Sequence, residues 1–154
     1  MMKYCIDSCS LITLKNDYRQ SVFPKIWIKF EELLNNKTIV SSFEVFEELK
    51  TTEDDKAYLL ASKYEDCFIS PELEIQMEVK RILSIYPNLI RIKERKSGAD
   101  PWVIATANIY DLTVITEEQH AGNLEYPRIP DVCDDLDCRH IRLIDLFEEE
   151  NFES

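Results

Sequence analysis

Glycine is almost missing from this chain: 154 residues contain two, Gly98 and Gly122. That scarcity excludes a Gly-rich phosphate-binding loop and argues against a loop-rich or collagen-like protein. Basic residues are also few. Eighteen Lys and Arg against thirty Asp and Glu leave a net charge of -12. A protein that coats nucleic acid non-specifically must neutralise phosphates, so this balance counts against that class. It is compatible with an enzyme whose acids hold cations, and it suits a basic partner protein. Long apolar runs are absent, and no segment approaches the length of a membrane span. The start, Met1-Met2-Lys3-Tyr4-Cys5-Ile6-Asp7, meets an acid too early for a secretory signal. A cytoplasmic location is the expectation. The five cysteines, an odd number without framework spacing, then read as reduced thiols.

What is present is a globular composition, 45% apolar, at a length normal for one domain. We expect one domain over residues 1–154, its last few residues a frayed tail. Tyr4 to Ile6 reads as a buried strand, and Asp7-Ser8 caps a short helix to about Leu14. A helix is expected from about Ser21 to Asn35, with Val22, Ile26, Phe30, Leu33 and Leu34 near helical spacing. Thr38 to Ser41 is a second strand. Ser41 and Glu44 have capping-box spacing at the head of a helix reaching Lys50. A helix over about 56–64, a strand over 67–70 and a helix over 72–86 follow. Leu89 to Ile92 fits strand or helix. Asp100-Pro101 opens a helix, Thr113 to Thr116 is a strand, Arg139 to Leu143 alternates like an edge strand, and 144–149 is a terminal helix. The stretch 117–138 reads as a long surface loop. Short β-branched strands alternating with helices predict an α/β protein with a mainly parallel sheet covered on both faces.

Ligands of open α/β sheets bind beyond the carboxyl ends of the strands, so the acids at those ends come first. They are Asp7, then Glu44, Glu47 and Glu48, then Asp100, then Glu117 and Glu118. Each has a plain structural explanation: Asp7 as a cap, Glu44 in the capping box, Asp100 before Pro101 at a helix start, the others as solvated charges. Glu48 borders the apolar face defined by Val45 and Leu49. Together the acids say more than singly. Two unit charges about 4 Å apart repel by roughly 4 kcal/mol at an effective dielectric of about 20. Several carboxylates in one crevice therefore require protons or a hard divalent cation such as magnesium or manganese.

These residues resemble the PIN-domain ribonucleases, the family that includes VapC-type toxins. The motifs are Tyr4-Cys5-Ile6-Asp7, Val45-Phe46-Glu47-Glu48-Leu49, Ala99-Asp100-Pro101-Trp102-Val103-Ile104-Ala105-Thr106-Ala107 and Val114-Ile115-Thr116-Glu117-Glu118. They span about residues 3 to 147 in the family's order. The resemblance implies a three-layer α/β/α PIN-like domain with a mainly parallel sheet of about five strands. It implies Mg2+- or Mn2+-dependent endoribonuclease activity, with Asp7, Glu48, Asp100 and Glu118 as catalytic and metal-binding residues. It also implies an RNA substrate, a cognate antitoxin and a homodimer. The chain departs from the pattern at Glu118, where Asp is usual and Glu117 is a rival, and in its long acidic 119–138 stretch. The alternative is a PIN-fold interaction protein with a weak or lost site, acting through a protein partner.

The basic run Arg91, Lys93, Arg95, Lys96 precedes Asp100, and Lys93, Arg95 and Lys96 are candidate RNA contacts. Cys133, Cys138, His140 and His120 invite a zinc reading, but no second close cysteine pair exists, and the spacing favours free thiols. Trp27 and Trp102 sit in helical apolar patterns and read as core rather than as base-stacking platforms.

Overall fold

Three-residue apolar runs become strands here because they are buried on both sides. In the computed structural model, which describes residues 1–51, 55–90 and 98–153, strand β1 is Tyr4–Ile6, and every residue of it is buried. Strand β2, Ile39–Ser42, is likewise buried throughout. Unbroken burial without alternation is the mark of a parallel strand with helices on both faces. β3 (Phe68–Ile69), β4 (Thr113–Ile115) and β5 (His140–Ile141) complete a five-stranded sheet in the order β3-β2-β1-β4-β5. Every pairing is parallel, with Cys5 opposite Val40 on one side and Val114 on the other. The architecture is the α/β PIN-like one that the motifs imply.

The strand order fixes where a ligand can sit. The chain builds β1, β2 and β3 in one direction, returns, and adds β4 and β5 on the other side of β1. The reversal leaves a crevice at the carboxyl ends of β1 and β4. Asp7 follows β1 there, its N–H donating to the Ile115 carbonyl at 3.1 Å.

Eight α-helices are described. They are α1 (Ser8–Asp17), α2 (Pro24–Asn35), α3 (Phe43–Lys50), α4 (Asp55–Lys63), α5 (Leu73–Ile85), α6 (Asp100–Tyr110), α7 (Ile129–Asp135) and α8 (Leu143–Glu149). A 3₁₀ turn, Glu65–Cys67, leads into β3. Helix α6 lies against β1, β2, β4 and α5. Val103, Ile104, Ala105, Thr106 and Ala107 are all buried, so this helix has no solvated face along its middle. It stops where Asp111 takes φ 55°, one of the few non-glycine residues that tolerate the left-handed region. The Leu112 N–H then returns to the Ala107 carbonyl at 2.8 Å and β4 begins. None of the described helices is long and apolar enough to cross a membrane.

Several expectations change, among them the edge strand expected over Arg139 to Leu143, which is only His140–Ile141 because Leu143 opens α8. Helix α2 starts at Pro24, not Ser21, because proline suits the first turn. Val22 therefore stands in the preceding turn, 65% exposed, rather than on the buried face. Ser41 and Glu44 form no capping box. β2 runs on to Ser42, the cap position, and the Ser41 hydroxyl donates to the Ile6 carbonyl instead. Of the Leu89 to Ile92 stretch, Leu89 and Ile90 form a bend that is neither strand nor helix, and Arg91 and Ile92 lie outside the described residues. The largest difference is 117–138, which contains α7, with Ile129, Pro130, Val132 and Cys133 buried.

Replacing Ile129, which is fully buried, by Ala should cost about 2–5 kcal/mol in urea unfolding. A loss below about 0.5 kcal/mol, the range of surface substitutions, would mean that this segment is the surface loop its composition suggests.

Candidate metal centre

Asp7 leaves β1 and caps α1. One carboxylate oxygen accepts from the Ser10 N–H at 2.8 Å, and the other accepts from the Thr116 hydroxyl at 2.6 Å. Its side chain is nearly inaccessible, at 3% exposure. Glu48 reaches the crevice from α3, where the Ser8 hydroxyl donates to it at 2.5 Å and the Ala99 N–H at 3.2 Å. Asp100 occupies the first turn of α6 and is 8% exposed. Ala99, not Asp100, holds the cap position. Among the described residues, none donates a hydrogen bond to the Asp100 carboxylate. Glu118 follows β4 by way of Thr116, whose hydroxyl accepts from the Glu118 N–H at 3.1 Å. One Glu118 oxygen accepts from the Ile129 N–H at the head of α7, at 3.1 Å.

The four acids feel one another. Burial is the main cause that lifts Asp100 well above the usual carboxylate range, and the charges of Glu118, Asp7 and Glu48 add to it. Asp7 is pushed up to about 7, by burial first and by the Glu118 charge last, against the lowering effect of its bonds from Thr116 and Ser10. Glu48 is raised by burial, and Glu118 again contributes. Hence Asp7, Glu48, Asp100 and Glu118 are brought into one electrostatic neighbourhood.

Glu117 and Glu47 are not part of it. One Glu117 oxygen accepts from the Leu143 N–H at 2.7 Å, at the head of α8, and the other meets the Arg142 guanidinium. Glu117 thus serves the start of a helix, with both oxygens engaged there. Glu47 pairs with Lys50 on the surface of α3. The basic candidates Lys93, Arg95 and Lys96 lie outside the described residues. Cys133 and Cys138 are free and buried. Trp27 is buried too, its indole N–H donating to the Tyr18 carbonyl.

Two positioning residues were not singled out from sequence for these contacts. Ser8 orients Glu48, and Thr116 orients Asp7 while receiving the Glu118 N–H. The local signal was the hydroxyl next to Asp7 and the one two residues before Glu118. An open cleft of about 500 Å³ adjoins the Glu118 side and is lined in part by Thr116, Gln119, His120, His140 and Arg142.

The chemistry of this donor set is that of a hard divalent cation, but its carboxylates do not form a closed ligand set: among the described residues only His120, Asp134 and His140 bring three ligand atoms within 4.8 Å of one another. The crevice offers carboxylate oxygens only, largely buried, with one carboxylate lacking a described donor and the group as a whole disfavoured as bare charge. The strand order defines an α/β domain with a five-stranded parallel sheet. A family model described as a domain of unknown function, DUF4411, matches residues 4–154, and the chain belongs to that family. Among solved structures, the chain is similar to a chain in the crystal structure of VapBC2 from Rickettsia felis bound to a DNA fragment from their promoter. The TM-score is 0.51 and the identity 11%, over 92% of this chain and 98% of that one. That likeness concerns the fold. No curated protein matches the sequence.

The raised Asp7 value has a definite sign in stability. Its ordinary value is 3.8 and its folded value about 7, so folding favours the neutral form. The resulting stability is fully present below the unfolded-state value and is lost as pH rises through the folded one. In EDTA, melting should occur at higher temperature near pH 5 than near pH 8, and Asp7→Asn should gain about 1–3 kcal/mol near pH 8. Stability that is flat or rising over that interval would contradict the buried-acid account.

Proposed function

We propose that this protein is a Mg2+- or Mn2+-dependent endoribonuclease of the VapC toxin kind. The observation that carries the reading is Asp100. This acid is buried at the head of α6, without a described hydrogen-bond donor, and its charged form is disfavoured by burial and by the charges of Glu118, Asp7 and Glu48. The site lies at the switch point of a PIN-like sheet. Asp7, Glu48 and Asp100 would hold the ion, and Glu118 would assist through the oxygen not given to Ile129. When bound, such an ion supplies Lewis-acid polarisation of a phosphoryl oxygen and lowers the pKa of a coordinated water.

The chain's own residues do the rest. Thr116 and the Ser10 N–H orient Asp7, and Ser8 with the Ala99 N–H orients Glu48, so the carboxylates present fixed lone pairs. The open cleft beside Glu118 leaves room for a polynucleotide backbone to approach. The wide negative charge accounts for the need of a cation at the point where a phosphate must come close. The structural neighbour is named as a two-component assembly on promoter DNA. By that analogy a cognate antitoxin would bind this chain, and the net charge of -12 suits a basic partner.

Purified protein should cleave RNA with Mg2+ or Mn2+ and stop in EDTA. Asp100→Asn should lower turnover by at least on the order of a hundredfold while keeping the fold, and Thr116→Val or Ser8→Ala by about 10–100-fold. Full activity in a folded Asp100→Asn protein would refute the site. No cleavage together with no Mg2+ or Mn2+ binding by calorimetry would instead favour a PIN-fold protein acting only through its partner.

A further inference from the structure

The connection 117–128, helix α7 and strand β5 meet at a second set of potential ligands. His120 lies in the connection, Asp134 near the end of α7, and His140 in β5. One Asp134 oxygen lies 2.6 Å from His120 Nε2, and the other lies 2.8 Å from His140 Nε2. The two rings meet edge to face, with centroids 5.6 Å apart. One ligand atom from each of the three residues falls within 4.8 Å of the other two.

We propose that His120, Asp134 and His140 bind a borderline transition-metal ion of the Zn2+ class, with a donor set distinct from that of the carboxylates and with both histidines on the cleft that adjoins Glu118. Two imidazole nitrogens and one carboxylate oxygen are a donor set that Zn2+ accepts and that Mg2+ does not seek. Three protein ligands leave a coordination position for water, and the exposure of His120 and Asp134 gives an ion free entry. For each ring to coordinate through Nε2, its proton must sit on Nδ1, so Asp134 exchanges two hydrogen-bond contacts for one metal bond.

The three residues stand on a hydrogen-bonded frame. Asp131, one turn before Asp134 on α7, accepts from the N–H groups of Ala121, Gly122 and Arg128 at 2.8, 3.0 and 2.9 Å. It thereby holds the backbone on both sides of the connection and fixes the entry of His120. His140 is held by the β4–β5 ladder opposite Val114. An ion here joins the connection, α7 and β5 through one side chain of each. It also pins the residue two positions after Glu118. Of the four residues weighed for zinc in the sequence, Cys133 and Cys138 are buried free thiols, as their spacing favours, and His120 and His140 meet Asp134 instead.

The probe is Co2+, read by its visible d–d absorption, with Zn2+ as competitor on protein stripped with a chelator. The native chain should bind one Co2+ at this site in a four- or five-coordinate field and release it to Zn2+. His120→Ala and His140→Ala should each weaken binding by at least about tenfold. Asp134→Asn keeps a hydrogen-bonding partner for the rings but should weaken the ion as well. Zn2+ should raise the melting temperature of the native chain more than that of His120→Ala. Asp100→Asn should leave the Co2+ spectrum unchanged, so a failed nuclease reading and a failed zinc reading are separable. Binding that is equal in the native chain and both histidine variants, or that is lost only with Asp100→Asn, would overturn the proposal.

Discussion

Like charges converging in a low-dielectric crevice are the constraint on which this structure depends. Each of the four acids comes from a different element: the end of β1, the middle of α3, the head of α6 and the exit of β4. No element alone brings two of them together. The parallel sheet does so because all its strands end on the same side. The packing of α6 against the centre of the sheet sets Asp100 over that end. The core, with Ile104, Val114 and Ile115 fully buried, is therefore what holds the acids against their mutual repulsion. Burial of this kind supplies the stability from which the crevice's electrostatic cost is drawn.

Donor count separates the structural acids from the unsatisfied ones. Asp131 accepts three backbone N–H bonds, and they hold it below the usual carboxylate range despite the opposing effect of its burial. Glu117 is similarly occupied by the Leu143 N–H and Arg142. Asp7 accepts from Thr116 and Ser10, yet full burial overrides those bonds and its value rises. Asp100 has no described donor and rises most plainly. The same residue type thus plays opposite parts according to how many hydrogen bonds meet the charged form. A count of acids in the sequence cannot make this distinction, because the donors are mostly backbone groups positioned by the fold.

Much of the architecture was legible because local and global signals agree. β1 and β4 are β-branched or apolar runs that end in acids. Pro101 marks the first turn of α6, and Asn35-Asn36-Lys37 ends α2 close to where the periodicity stops. Helix α7 was hidden for a physical reason. Seven residues give less than two full turns of pattern, and its sequence carries a proline and three aspartates. What makes it a helix is tertiary: Ile129, Val132 and Cys133 pack inward, and Asp131 folds the preceding connection around its head. The capping box at Ser41 failed for the converse reason. A sound local motif yielded to one more residue of parallel strand, and the hydroxyl found the neighbouring strand's carbonyl.

Helix α7 also fixes the position of Glu118. α7 presents its first N–H, that of Ile129, to one oxygen of Glu118. The longer side chain spans from the strand exit to that helix while its charge still reaches Asp7, Glu48 and Asp100. An Asp at 118 would be one methylene shorter and would have to choose between the two. The segment after β4 thus supplies the hydrogen bond that holds the Glu118 carboxylate. The same segment brings His120 to Asp134 and His140, so the second ligand cluster and the position of Glu118 share a single cause.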